Sequence, residues 1–118
     1  MRAFWDDGGS SLAADQARPV SLEEACRLWS DLRGSEGSFL GLIDDRDRTI
    51  QFYFDGGIPD DVEDARHLRI VLMDLPEPEK GGSHGRQVAV GDVQRLIGRA
   101  FELGADHRHF GGLTFTSW

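Results

Sequence analysis

Residues 38–54 read Ser38-Phe39-Leu40-Gly41-Leu42-Ile43-Asp44-Asp45-Arg46-Asp47-Arg48-Thr49-Ile50-Gln51-Phe52-Tyr53-Phe54. Two apolar stretches flank five polar residues, a hairpin-length turn. In the second stretch Ile50, Phe52 and Phe54 alternate with Gln51 and Tyr53, so one strand face is apolar and the other mixed. Strands joined by so short a turn must run antiparallel, which makes an antiparallel sheet the frame of the fold.

Upstream, Ser21-Leu22-Glu23-Glu24 has the form of a capping box, in which serine and glutamate satisfy each other's backbone N–H groups. Leu22, Cys26, Trp29 and Leu32 follow at helical spacing, with Ala25 and Leu28 beside them, and Gly34 suits a helix C-terminus. A helix is predicted over residues 22–33. Residues 1–5 are predicted to form a short strand, and residues 10–20 a small, polar connector.

Downstream, Gly56-Gly57-Ile58-Pro59 breaks the strand pattern, and residues 60–65 read as a loop or one helical turn. Residues 67–73 are predicted as a strand with Leu68, Ile70 and Leu72 on one face. Gln51, Tyr53, Arg69, Val71 and Met73 are candidates for the sheet's other face, although Val71 and Met73 suit the core equally well. Residues 76–85 carry two prolines and three glycines and are expected to form a long, mobile hairpin loop, with a short returning strand over 86–90. Val93, Leu96, Ile97, Ala100 and Phe101 make a second helical stripe, with Gly104 as its stop, and 113–118 alternate as a last strand. The expected order is β-α-β-β-β-β-α-β. The fold class is α+β: a single antiparallel sheet of about five to six strands with two amphipathic helices packed on one face. One domain spans residues 1–118, with 1–20 a peripheral strand and connector and 21–118 the core.

Charge narrows the function. The chain carries 13 basic and 21 acidic residues, a net −8. Residues 44–64 hold eight acids (Asp44, Asp45, Asp47, Asp55, Asp60, Asp61, Glu63, Asp64) against Arg46 and Arg48, so six of the eight excess charges fall in 21 residues. Such a balance disfavours direct nucleic-acid binding, which relies on basic groups to neutralise phosphates. It suits an acidic surface that steers a basic partner, or simply a solvated turn. No apolar run approaches the roughly 18 residues of a membrane span. The first twenty residues carry Asp6, Asp7 and Asp15 without an apolar segment, so no secretory signal is expected and the location is expected to be cytoplasmic. Cys26 alone can build neither an internal disulfide nor a cysteine-based zinc cage; on the apolar stripe it reads as a small buried hydrophobe.

No catalytic motif emerges. His107 and His109 would share a face if extended, and two imidazoles can start a zinc site, yet no third ligand stands at motif spacing and the pair reads as a polar loop. Ser83-His84 lacks a nucleophile elbow. The glycine pairs form no phosphate loop, and Asp44-Asp45-Arg46-Asp47 lacks calcium-loop spacing. Nothing forces Asp60, Asp61, Glu63 and Asp64 into a dry cleft where their acidity would shift. No catalytic residue, metal or cofactor is assigned.

The succession of Phe39-Leu40-Gly41-Leu42-Ile43, a polar turn, Thr49-Ile50-Gln51, a further strand, the helix from Val93 to Phe101 and the terminal strand ending at Trp118 resembles the small α+β immunity proteins of bacterial polymorphic toxin and contact-dependent inhibition systems. The likeness is nearest to those found beside nucleic-acid deaminase and nuclease toxins, and covers residues 21–118. It implies inhibition by occlusion: an acidic, non-enzymatic protein covers the basic substrate channel of its cognate toxin domain. The charge pattern makes Asp44, Asp45, Asp47, Asp55, Asp60, Asp61, Glu63 and Asp64 the candidate partner-binding residues, and the resemblance adds only that strand 49–54 with Gln51 and Tyr53, and its flanking loops, lie near the partner. Tyr53, Phe54 and Trp118 are candidate anchors; core packing is the alternative for each and the favoured one for Phe54 and Trp118. Two other functions fit the composition. One is a small enzyme or ligand-binding protein with a pocket between sheet and helices. The other is an acidic nucleic-acid mimic acting on another defence protein.

Overall fold

A computed structural model describes residues 1–33, 37–54 and 71–118. Among these, eight strands form one antiparallel sheet: β1 (Arg2–Asp6), β2 (Ser11–Leu12), β3 (Arg18–Pro19), β4 (Phe39–Ile43), β5 (Thr49–Phe54), β6 (Val71–Glu77), β7 (Gly82–Val88) and β8 (Thr114–Ser117). Their order is β2-β1-β4-β5-β6-β7-β8, and β3 pairs with β1 beside β2. Helices α1 (Leu22–Asp31) and α2 (Val93–Leu103) pack against each other over one face. The fold is therefore α+β, with a sheet larger than five or six strands. The additional strands, β2 and β3, are two residues each and lie in the expected connector, too short to show any alternation. β1 pairs with β4 along its whole length, and Ala3 is fully buried.

Burial follows the strand period of two. Ala3, Leu40, Leu42, Ile50, Phe52, Phe54, Val71, Met73 and Leu75 face the helices and meet Ala25, Trp29, Val93, Leu96, Ile97 and Ala100. Met73 pairs with Phe52 and Val71 with Phe54, so this register places both in the core and turns Leu72 to the opposite face. That corrects the expected side for Leu72; Leu68, Arg69 and Ile70 lie outside the described residues. The capping box forms as expected: Glu24 N donates to Ser21 Oγ at 3.1 Å and Ser21 N to Glu24 Oε1 at 3.2 Å. α1 ends earlier than expected, because Leu32 turns to extended backbone and points into the core. Gly34 lies outside the described residues.

The largest difference concerns residues 76–85, which form no long loop. β6 continues to Glu77, a single 3-10 turn (Pro78–Lys80) reverses the chain, and β7 begins at Gly82. Pro76 pairs with Ser83. The β5 pairing stops at Asp74, so Pro76 occupies a stretch of β6 with one neighbour only, where a missing N–H is tolerated. Gly81, at φ 68°, supplies the left-handed residue that closes the turn.

Gly41 is fixed by a close approach. It pairs with Phe4 on the face away from the helices, and a Cβ there would overlap the Phe4 ring. Phe4 in turn packs edge-on against Phe39, with centroids 5.8 Å apart. Gly41→Ala is expected to destabilise the protein by roughly 1–3 kcal/mol, the usual cost of overpacking. Adding Phe4→Ala should make the Gly41 substitution far less costly, a non-additivity that urea denaturation of the double variant would measure.

Candidate functional site

Among the described residues, no helix covers the second sheet face. Phe39, Ile43, Gln51, Tyr53, Leu72 and Asp74 share it and are all half-buried. Tyr53 stands between Phe39 and Leu72 in the middle of the sheet. Two of the candidate anchors lie off this face, and Phe54 takes its core alternative. Phe54 is core, its ring stacked on Trp29 at 4.9 Å. Trp118 is 73% exposed just beyond β8, at the far edge of the sheet from β1.

The β4–β5 turn divides its aspartates between two roles. Asp44 N donates to Arg48 O at 2.9 Å and Asp47 N to Asp44 O at 3.1 Å, while Asp47 adopts φ 60°. This is a three-residue hairpin loop whose last position favours a left-handed residue. Asp45 and Asp47 are exposed, and Asp47 pairs with Arg2 at 2.7 Å. Asp44 is buried. Its Oδ1 accepts from Arg46 N and Arg48 N, both at 2.9 Å; its Oδ2 accepts from Arg48 Nε and Ala105 N, both at 2.8 Å. Asp44 therefore belongs to the framework, and the partner-facing part of this turn reduces to Asp45 and Asp47. Asp55, Asp60, Asp61, Glu63 and Asp64 lie outside the described residues.

Arg48 extends the network across the fold. Its Nη1 donates to Asp106 Oδ2 at 3.0 Å, and Asp106 also receives the Arg108 guanidinium, with Nη2 at 2.6 Å. The central hairpin is thus tied to the segment that follows α2. Gly104 makes room for the tie: at φ 84° it caps the helix, and a Cβ there would stand 2.7 Å from Arg48 Nη2. The Arg108 hydrogen bonds, aided by the Arg48 charge, hold the Asp106 carboxyl far below the ordinary carboxylate range. Burial alone would raise Asp44, but hydrogen bonds from Arg48, Ala105 and Arg46 outweigh it and the net shift is downward.

A second constellation sits on the helix side of β6 and β7. Leu75 pairs with His84 and Glu77 with Gly82, so Glu77 and His84 are diagonal neighbours on one face. Nε2 of His84 lies 2.7 Å from Oε2 of Glu77. His107 opens a 3-10 turn (His107–His109) whose N-cap is Asp106, and its ring stacks on that of His84 with centroids 3.8 Å apart. Phe115 of β8 packs on His84 at 5.0 Å. The hydrogen bond from His84, with the nearby charge of Lys80, lowers the Glu77 pKa. Glu77 and His107 also line an open cleft of about 780 Å³, bounded by Arg46, Arg48, Lys80 and Arg108.

The sequence pairing of His107 with His109 is not what the fold produces. His109 is exposed, and its carbonyl oxygen accepts from Arg99 at 3.1 Å. Ser83 and His84, adjacent in sequence, point to opposite faces of β7, which separates hydroxyl from imidazole. Cys26 is half-buried against the core, and desolvation raises its thiol pKa. Among the described residues no helix is long and apolar enough to cross a membrane. Compared with known proteins, the chain matches no family model, no curated protein and no solved structure.

Proposed function

We propose that this chain is an immunity-type binding module: it docks on a basic toxin domain, covers its nucleic-acid channel and performs no chemistry itself. The carrying observation is the concentration of six of the eight excess negative charges within residues 44–64. Two of those acids, Asp45 and Asp47, are exposed in the turn that joins β4 to β5, and Gln51 and Tyr53 follow along β5 on the face that no described helix covers. A half-buried aromatic beside polar groups on an uncovered sheet face suits the centre of a protein interface, with charged groups confined to its margin. Carboxylates in this setting accelerate encounter with a cationic partner and reject anionic ones, while the aromatic supplies buried area. The channel of a nuclease or deaminase is cationic because its substrate is a polyanion, so an acidic protein competes for it directly. The cytoplasm is where such an inhibitor would protect its own cell.

The test is co-expression with the C-terminal domain of the polypeptide encoded immediately upstream. The expected result is a stoichiometric complex that survives gel filtration and abolishes the domain's action on nucleic acid. Absence of both complex and inhibition would refute the reading.

A further inference from the structure

We propose that Glu77, His84 and His107 form a three-ligand site for a divalent transition-metal ion, with zinc the best fit. The site does not depend on the partner-binding reading. Each of the three residues offers one ligand atom, and these atoms all lie within 4.8 Å of one another. Oε2 of Glu77 stands 2.7 Å from Nε2 of His84 and 3.9 Å from Nε2 of His107. A tetrahedral ion with bonds of about 2.0–2.2 Å separates its ligand atoms by roughly 3.3–3.5 Å. Binding therefore asks the Glu77 and His84 ligand atoms to part by roughly 0.6–0.8 Å and His107 to close on Glu77 by roughly 0.4–0.6 Å. The two imidazoles are nearly parallel, at 8°, so the His107 ring must also tilt until its lone pair converges with that of His84.

The surroundings suit this adjustment. His84 is the fixed ligand, held on β7 between His107 and Phe115 with 14% of its side chain exposed. His107 is the adjustable one, at 33% exposure, on a turn anchored through Asp106 to Arg48 and Arg108. Glu77 keeps its other oxygen towards Lys80, 3.7 Å away. Two imidazoles and one carboxylate are the donor set of open zinc sites, and a single carboxylate oxygen is too few for calcium or magnesium. The adjoining cleft gives the fourth coordination position a path to solvent.

Cobalt(II) titration of the metal-stripped full chain tests the proposal. One equivalent should produce the intense visible absorption of tetrahedral cobalt, and one equivalent of zinc should abolish it. His107→Ala and Glu77→Gln should each weaken zinc binding roughly tenfold or more, a loss in keeping with altered metal sites. His109→Ala should bind as the parent does. Zinc affinity should also fall on acidification, because the proton competes for imidazole nitrogen. Far-ultraviolet circular dichroism would establish that each variant is folded. Lack of the tetrahedral spectrum, parental affinity in His107→Ala, or an equal loss in His109→Ala would each overturn the assignment.

Discussion

Asp44→Ala is expected to destabilise the protein by about 3 kcal/mol, the order found when one member of a buried, hydrogen-bonded charge pair is removed. One side chain accepts four hydrogen bonds, three from backbone N–H groups. In the variant Arg46 N and Arg48 N can turn to water at the hairpin tip, but Ala105 N is in a buried residue and loses its acceptor outright. Arg48 is left with Asp106 alone, so the tie between the hairpin and the post-α2 segment is weakened. The same carboxylates make stability depend on pH. Both Asp44 and Asp106 titrate below their ordinary value when folded. Their contribution is therefore complete above the ordinary carboxylate range, and it is lost as pH falls from about 5. Urea midpoints across an acid series should decline for the parent and more shallowly for Asp44→Asn, which has no charge to lose at that position. A parental acid slope in Asp44→Asn would show that other groups govern acid sensitivity.

Phe52→Ala should be costlier, about 4 kcal/mol, within the range for truncating a buried aromatic. Phe52 is fully buried on β5, the fourth of the seven strands in line, and pairs with Leu40 on one side and Met73 on the other. Trp29 of α1 packs edge-on against it at 6.2 Å. Truncation opens a cavity beneath α1 that two flanking strands and an already stacked indole cannot readily fill. Phe52→Leu keeps most of the volume and should cost less than about 1.5 kcal/mol. Chemical denaturation of the two variants separates cavity from chemistry; equal losses would contradict this account of the core.

What was legible in the sequence was whatever repeats on a local period. The alternation of Ile50, Phe52 and Phe54, the stripe through Val93, Leu96, Ile97 and Ala100, and the Ser21–Glu24 box each fix an element and its buried side within a few residues. Register between strands is not local, and the errors fall there. Val71 and Leu72 both read as apolar, and only the pairing of β6 with β5 decides which faces the helices. Pro76 argued against a strand because the sequence does not show that β6 has lost its β5 neighbour at that point. The candidate metal ligands were hidden for the same reason. His84 and His107 are 23 positions apart in sequence, and β7–β8 pairing with the turn after α2 brings them together. One signal was present: Leu75 and His84 are symmetric about the turn residues 78–81, so a hairpin closing there pairs them and places Glu77, two residues beyond Leu75, on the same face as His84.

The most direct test of the central claim is the association rate between this chain and the proposed toxin domain, measured by stopped flow at low and at high salt. The variant Asp45→Lys/Asp47→Asn changes the exposed charge of the turn by +3, and asparagine preserves the left-handed backbone at position 47. The account predicts association slowed roughly tenfold at low salt, a difference that largely vanishes at high salt, and a dissociation rate changed far less. Equal association rates for parent and variant at low salt would contradict it.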